Sequence, residues 1–378
     1  MNWWLDITIG KHEIDCSFQF SINFMELGIM TFADMAPETL PGRGMNAHQR
    51  LKELIEEIKL ADQLGLDVFG IGEHHRPDYA VSSPAIILAA GAMVTKNIKL
   101  TSAVTVLSSD EPVRVFQDFS EVDLLSDGRA EIMAGRGSFI ESFPLFGFDL
   151  DDYDELFTEK LELLLKINSA AKISWKGKHR PSFENLGVYP RPYQSAIPVW
   201  IAAGGTPASA VRAATLGLPL TLAIIGGRPE QFVPFINLYK ESWKKAGHDA
   251  SQLQFGVNNH VFIGEDSKKI SDEFYPYYAS MMDRVGRDRG WPPHTRQQFE
   301  YSRSPMGALM VGSVQEVVDK ILYEHELFGN TRFLAQASIG NVPHNLIMKS
   351  IELFGDKVAP VIRKEVGLKN KISTEIVG

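Results

Sequence analysis

"DVFGIGEHHRPDYAVSSPAIILAAGAMV", residues 67–94, reads as one strand followed by one helix: an apolar run ends at Glu73-His74-His75, a polar stretch follows, and Pro84 opens an alanine-rich segment. Proline lacks an N–H and so suits a first helical turn, where that donor would have no partner. The same unit recurs on both sides. From Met25 onward, short apolar runs alternate with longer helical patterns, the signature of βαβ units and a parallel sheet. "ELGIMTF" precedes a helix over 48–64, "DVFGIGE" one over 84–94, "IKLTSAVTV" one over 113–125, and "AEIMAGR" one over 153–171. "IPVWIAA" leads to 207–216, "PLTLAII" to 229–246, "LQFGVNNHVFIG" to 313–328, and "RFLAQAS" to 343–358. Eight such pairs predict an α/β fold, a (β/α)8 TIM barrel over 25–363, with an N-terminal extension over 1–24 and a C-terminal tail over 364–378. Two stretches interrupt the alternation, 173–195 and 266–305. The second lies before the seventh barrel helix and exceeds ordinary connection lengths, so it is expected to hold helices of its own or to work as a lid.

With 378 residues, 44% hydrophobic and 22% charged, the chain can bury a large core. A net charge of -9 argues against nucleic acid or an anionic membrane surface as partner. The single cysteine, Cys16, excludes an internal disulfide and any multi-cysteine metal centre. It suggests a reducing compartment, and with no export signal or spanning segment the expected location is the cytoplasm.

In a barrel of this kind, strand ends and the loops after them build the site at the C-terminal rim. Glu73-His74-His75 falls there. Side chains alternate along a strand, so His74 and His75 cannot both face the barrel axis, and one of them is the working imidazole. The competing reading packs one against the helices and ties the other into a rim network. A metal site is disfavoured, because adjacent histidines diverge and His260 and His344 supply no second ligand pair. Arg136, between two glycines at the end of the fourth strand, can grip phosphate through two parallel hydrogen bonds, or sit in a rim salt bridge. Gly204-Gly205 runs from the fifth strand into a helix at Thr206-Pro207, whose free N–H groups favour an anion, with Thr206 and Ser209 hydroxyls as further donors. Thr206 could equally be a simple cap. The small residues of 85–92 predict close packing of the second helix, either across a dimer together with the third helix or against the barrel itself.

Taken together, "GEHHRPDYAVSSP", "AVTVLSSDEPVRVFQDFSEVDLLSDGRAEIMAGRGS", "PLFGFDLDDYDELF" and "VWIAAGGTPASAVRAATLGLP" resemble the bacterial luciferase-like, flavin-dependent monooxygenases. The resemblance implies a (β/α)8 barrel, often dimeric. It also implies that reduced FMN, supplied by a separate flavin reductase, and dioxygen oxygenate a small organic substrate through a flavin C4a-hydroperoxide. It casts His74 as the catalytic imidazole and His75 as its supporting neighbour. Arg136, Ser138, Thr206 and Ser209, with Gly204 and Gly205, would hold the FMN phosphate, while Ala103-Val104 falls where some members carry a non-proline cis peptide beside the flavin ring. One departure stands out: Asp154 occupies a position at which luciferase has a second phosphate-binding arginine. The expected partners are a small organic substrate, dioxygen, a flavin reductase and a second copy in a homodimer, with no nucleic acid, membrane or metal. A deazaflavin-dependent oxidoreductase on the same barrel, or a non-catalytic flavin-binding protein, are the alternatives.

Overall fold

The computed structural model describes residues 25–35, 46–137 and 139–377, with side chains described to residue 368. The expected extension over 1–24 and Ser138, an expected cofactor-binding residue, lie outside the described residues.

Among the described residues twelve strands run in chain order: β1 (Glu26–Thr31), β2 (Val68–Ile71), β3 (Lys99–Ser102), β4 (Thr105–Val106), β5 (Ala130–Gly135), β6 (Lys172–Trp175), β7 (Phe183–Gly187), β8 (Val199–Ala203), β9 (Leu220–Ala223), β10 (Phe255–Gly264), β11 (Met310–Ser313) and β12 (Arg332–Ser338). The helices are α1 (Ala47–Gln63), α2 (Pro84–Ala92), α3 (Pro112–Leu125), α4 (Ser142–Phe146), α5 (Tyr153–Ser169), α6 (Pro207–Thr215), α7 (Val233–Lys245), α8 (Ser267–Arg289), α9 (Arg296–Arg303), α10 (Val314–Phe328), α11 (His344–Leu353) and α12 (Ala359–Val377). Eight strands, β1, β2, β3, β5, β8, β9, β10 and β12, pair in parallel in that order, and β12 pairs with β1, closing the TIM barrel. No helix among the described residues is long and apolar enough to cross a membrane.

Alternation along the strands divides the apolar residues. Outward-facing residues join the helices in one continuous core, while Met30, Val68, Ala103, Met133, Trp200 and Leu334 form a second cluster inside the barrel. Below that cluster the floor is ionic. Arg332, fully buried, donates through Nε to Glu26 at 2.7 Å and through both Nη atoms to Glu131 at 2.7 and 3.0 Å, with its guanidinium 3.9 Å from the Trp200 ring centroid. Two carboxylates, a cation-π face and a hydrogen bond from each guanidinium nitrogen make this buried cation tolerable.

The long segment 266–305 folds as α8 and α9, and β11 then extends the sheet beside the second half of β10. The other interruption is an antiparallel hairpin of β6 and β7 outside the barrel. The tail expected over 364–378 instead continues a helix, α12, to Val377. Gly91 serves packing inside the fold: a Cβ there would sit 3.2 Å from Ile58 of α1.

Candidate active site

Val68 belongs to the inner cluster, so the pleat carries Gly70, Gly72 and His74 to the axis side and turns Glu73 and His75 outward. The surroundings agree. The buried His74 ring lies 4.7 Å from Phe32, 4.4 Å from Tyr79 and 4.7 Å from Phe139, measured between centroids. Its Nδ1 is 3.6 Å from Glu141 Oε1, an ion-pair distance too long for a hydrogen bond. Burial opposes it, but the imidazole and backbone N–H groups hold the Glu141 carboxyl below the ordinary carboxylate range. Glu141 and the three aromatic residues carry no signal in the sequence, because Phe32, Tyr79 and the Phe139–Glu141 pair follow three different strands with no common spacing.

Glu73 turns the other way and has a structural task. Its Oε1 accepts from the Val106 N–H at 2.7 Å, tying the end of β2 to β4. Burial, with the Asp110 charge adding to it, pushes this carboxyl up to about 8 against the Val106 hydrogen bond. His75, packed edge-on to Phe146 at 5.0 Å, is shifted down by burial. Both line a cavity of about 540 Å³ that also takes in Asp110, Lys160 and His179. Neither His74 nor Arg136 lines it.

Beside the imidazole the inner wall is made of small residues. The Ala103–Val104 peptide is cis. Glycines leave it room: a Cβ on Gly72, just past β2, would come within 2.7 Å of the Ala103 carbonyl oxygen, and one on Gly135, at the end of β5, within 2.7 Å of Val104 Cγ2. Phe32, Val104, Ala202 and Ala223 belong to inner-facing positions yet remain half-buried, so the barrel is hollow above the Trp200 layer. Across the mouth stands His260, whose buried ring is pushed down to about 4 by burial and stays neutral.

Arg136 follows β5 and reaches the start of α6. One Nη lies 3.4 Å from Ser209 Oγ, and the other is paired with Asp154. Thr206 is the N-cap residue and makes no side-chain capping bond; Pro207 has no N–H and the Ser209 N–H donates to the Thr206 carbonyl at 2.9 Å, so of the first three helical residues Ala208 alone keeps a free N–H among the described residues. Gly204 is open: a Cβ there would meet nothing within 4 Å. Arg136, Gly204, Gly205, Thr206 and Ser209 therefore converge on one part of the rim. His74, three residues past the end of β2, stands on that same rim.

α8 covers the mouth beside His74. Arg76, after β2, bonds Asp288 at 2.8 Å, Arg284 Nε sits 2.8 Å from Asp78 Oδ2, and Gly340 lies so close to α8 that a Cβ would be 2.8 Å from the Tyr277 carbonyl. The Arg284–Asp78 contact is an ion pair without hydrogen-bond alignment, since Arg284 Nε has no hydrogen-bond partner among the described residues. On the outer surface Asp152, Glu155 and His179 cluster at metal-ligand spacing, but Lys178 Nζ already sits 2.6 Å from Glu155.

The model of the luciferase-like monooxygenase family matches residues 25–331. The alkanal monooxygenase alpha chain of the Kryptophanaron alfredi symbiont is 23% identical over 343 residues, covering 83% of this chain and 94% of that one. Among solved structures, the FMN-bound oxygenating constituent of 3,6-diketocamphane monooxygenase from Pseudomonas putida superposes with a TM-score of 0.71 at 21% identity, covering 89% and 98% of the two chains. The coenzyme F420 dependent tetrahydromethanopterin reductase of Methanopyrus kandleri superposes with a TM-score of 0.69 at 19% identity, covering 90% and 99%.

Proposed function

The chain belongs to the luciferase-like monooxygenase family, and from that membership we propose that it is an FMN-dependent monooxygenase acting with dioxygen on a small organic substrate. The observation that carries the proposal is the convergence of Arg136, Ser209 and the uncapped start of α6 on the rim that also bears the buried His74.

An anion at a helix start gains from free N–H groups, the helix dipole and a guanidinium fork. Arg136, Ser209 and Thr206 would hold the phosphate of FMN, with the open Gly204 giving it room. The ring would lie along Ala103-Val104, in the hollow lined by small residues. Reduced FMN, when bound, supplies the electrons that activate dioxygen. The protein's own tasks are then to orient the ring, exclude water and move a proton. Phe32, Tyr79 and Phe139 shield His74 from solvent, while the ion pairs of Arg76 and Arg284 hold α8 over the mouth. With Nδ1 facing Glu141, His74 is left with Nε2 to give or take a proton, the work for which imidazole is suited near neutral pH. His75, on the outer side, acts through the backbone it shares with His74.

A separate flavin reductase would supply the reduced cofactor. A homodimer would cover Ile86, Met93 and Val94 of the second helical segment with Leu124 and Leu125 of the third, all exposed in the single chain. The likeness to an F420-dependent reductase favours a second reading, a deazaflavin-dependent oxidoreductase. Anaerobic addition of reduced FMN followed by air tests the first: the protein should change the rate at which oxidised flavin appears, and His74→Ala should alter that rate. Flavin oxidation indistinguishable from that in buffer, together with tight binding of a deazaflavin, would replace it by the second.

A further inference from the structure

The Arg136 fork already holds an anion. Asp154, in the first turn of α5, pairs with one Nη while the other leans on Ser209 Oγ at 3.4 Å. The Tyr153 ring lies 5.2 Å from the guanidinium, and its hydroxyl donates to the Gly137 carbonyl at 2.7 Å, fixing the backbone next to the arginine. Arg212, one turn beyond Ser209 on α6, adds a second cation, disfavoured by burial and by the nearby Arg136 charge. The Asp154 side chain is 72% exposed, so little packing resists its movement.

We infer that Asp154 is a specificity-determining residue, an internal counterion that occupies Arg136 in the unliganded protein and must be displaced, or tolerated at close range, by the charged tail of a phosphorylated cofactor. This rests on the phosphate placement proposed above. A guanidinium binds phosphate best through two parallel N–H groups, and one of these is committed to Asp154. Whether Asp154 stays or leaves, it subtracts from the phosphate's contribution: by repulsion in the first case, by loss of its own ion pair in the second. The isoalloxazine ring is untouched by either effect. The penalty therefore falls on FMN and spares riboflavin, which has the same ring without the phosphate. A cofactor held this way is exchanged readily, as a flavin that arrives reduced from another protein must be.

The test is equilibrium titration of oxidised FMN and of riboflavin, read by flavin fluorescence, on the full chain at low ionic strength. Asp154→Asn keeps the size of the side chain and removes its charge. It should tighten FMN about fivefold to tenfold, the scale of a partly screened charge pair, and leave riboflavin within about twofold. Asp154→Glu should restore the wild-type ratio of the two affinities, and added salt should narrow the gap between wild type and Asp154→Asn. An unchanged FMN-to-riboflavin ratio in Asp154→Asn overturns the inference, as does weaker FMN binding, which would make Asp154 a support that orients Arg136. If neither flavin binds wild type or variant, the cofactor reading itself fails and this inference falls with it, an outcome distinct from an unchanged ratio.

Discussion

Replacing Glu73 by glutamine should make the protein progressively more stable relative to wild type as pH rises. The Glu73 side chain is buried, its Oε1 accepts the Val106 N–H at 2.7 Å, and its carboxyl is pushed from 4.5 up to about 8. An acid whose folded value lies above its unfolded value keeps its proton in the native state while the unfolded chain gives it up. Wild-type stability therefore falls between pH 4.5 and 8, at about 1.4 kcal/mol per pH unit across the window. Over pH 5 to 8.5 that slope amounts to about 3–4 kcal/mol, and to about 2–4 kcal/mol once the surroundings relax around the charge. Glutamine retains the acceptor oxygen and cannot ionise, so the variant lacks this loss. Urea denaturation of both proteins at pH 5, 7 and 8.5 isolates Glu73, because every other titrating group is common to the pair. The unfolding free energy of Glu73→Gln minus that of wild type should grow steadily over that range. A difference that is flat, or that shrinks, would show the carboxylate to be charged in the folded protein and would refute the reasoning.

Arg332→Met leaves Glu131 buried without its bidentate partner, and should cost about 3–5 kcal/mol in urea denaturation; Lys99 Nζ, 3.5 Å from Glu131, keeps the loss towards the lower end. Gly72→Ala puts a methyl 2.7 Å from the Ala103 carbonyl and 2.3 Å from the Phe32 ring; a loss of about 1–3 kcal/mol is expected, with weakened FMN binding by fluorescence titration. Arg284→Met removes the 2.8 Å ion pair from α8 to Asp78, while Arg76 remains 3.2 Å from Asp78. Amide hydrogen exchange within 277–289 should then speed up about 5- to 30-fold, the effect of about 1–2 kcal/mol of local destabilisation, with the barrel strands unchanged.

The barrel was legible because its strands are buried on both faces and its helices on one, so both periods are written in apolar residues. Alternation told only that His74 and His75 point to opposite sides; which of them faces the axis followed once the structure put Val68 in the inner cluster. The β6–β7 hairpin left no such trace: apart from Ile173 its side chains are largely open to solvent, and nothing selects an apolar pattern there. β11 went unassigned between the interruption ending at 305 and the helix expected from 313, because Met310–Ser313 is short and its last residue, Ser313, caps α10. Within the site, Arg136 and Ser209 were readable as single residues with plausible chemistry. The pairing of Arg136 with Asp154 was not, since it depends on how the loop after β5 meets α5. The cage around His74 is likewise tertiary: Phe32, Tyr79 and Phe139 come from three loops, and Glu141 carries no motif of its own. Glu73 illustrates the reverse case, a motif residue that faces away from the mouth and secures backbone.

A crystal structure with oxidised FMN bound measures the phosphate and the ring together. The phosphate should lie within hydrogen-bond reach of Arg136 and the first turn of α6, with the ring along Ala103-Val104 and its edge towards His74. A flavin seated in the cavity beside His75, or a phosphate away from Arg136 and α6, would contradict the assignment of this rim as the flavin site.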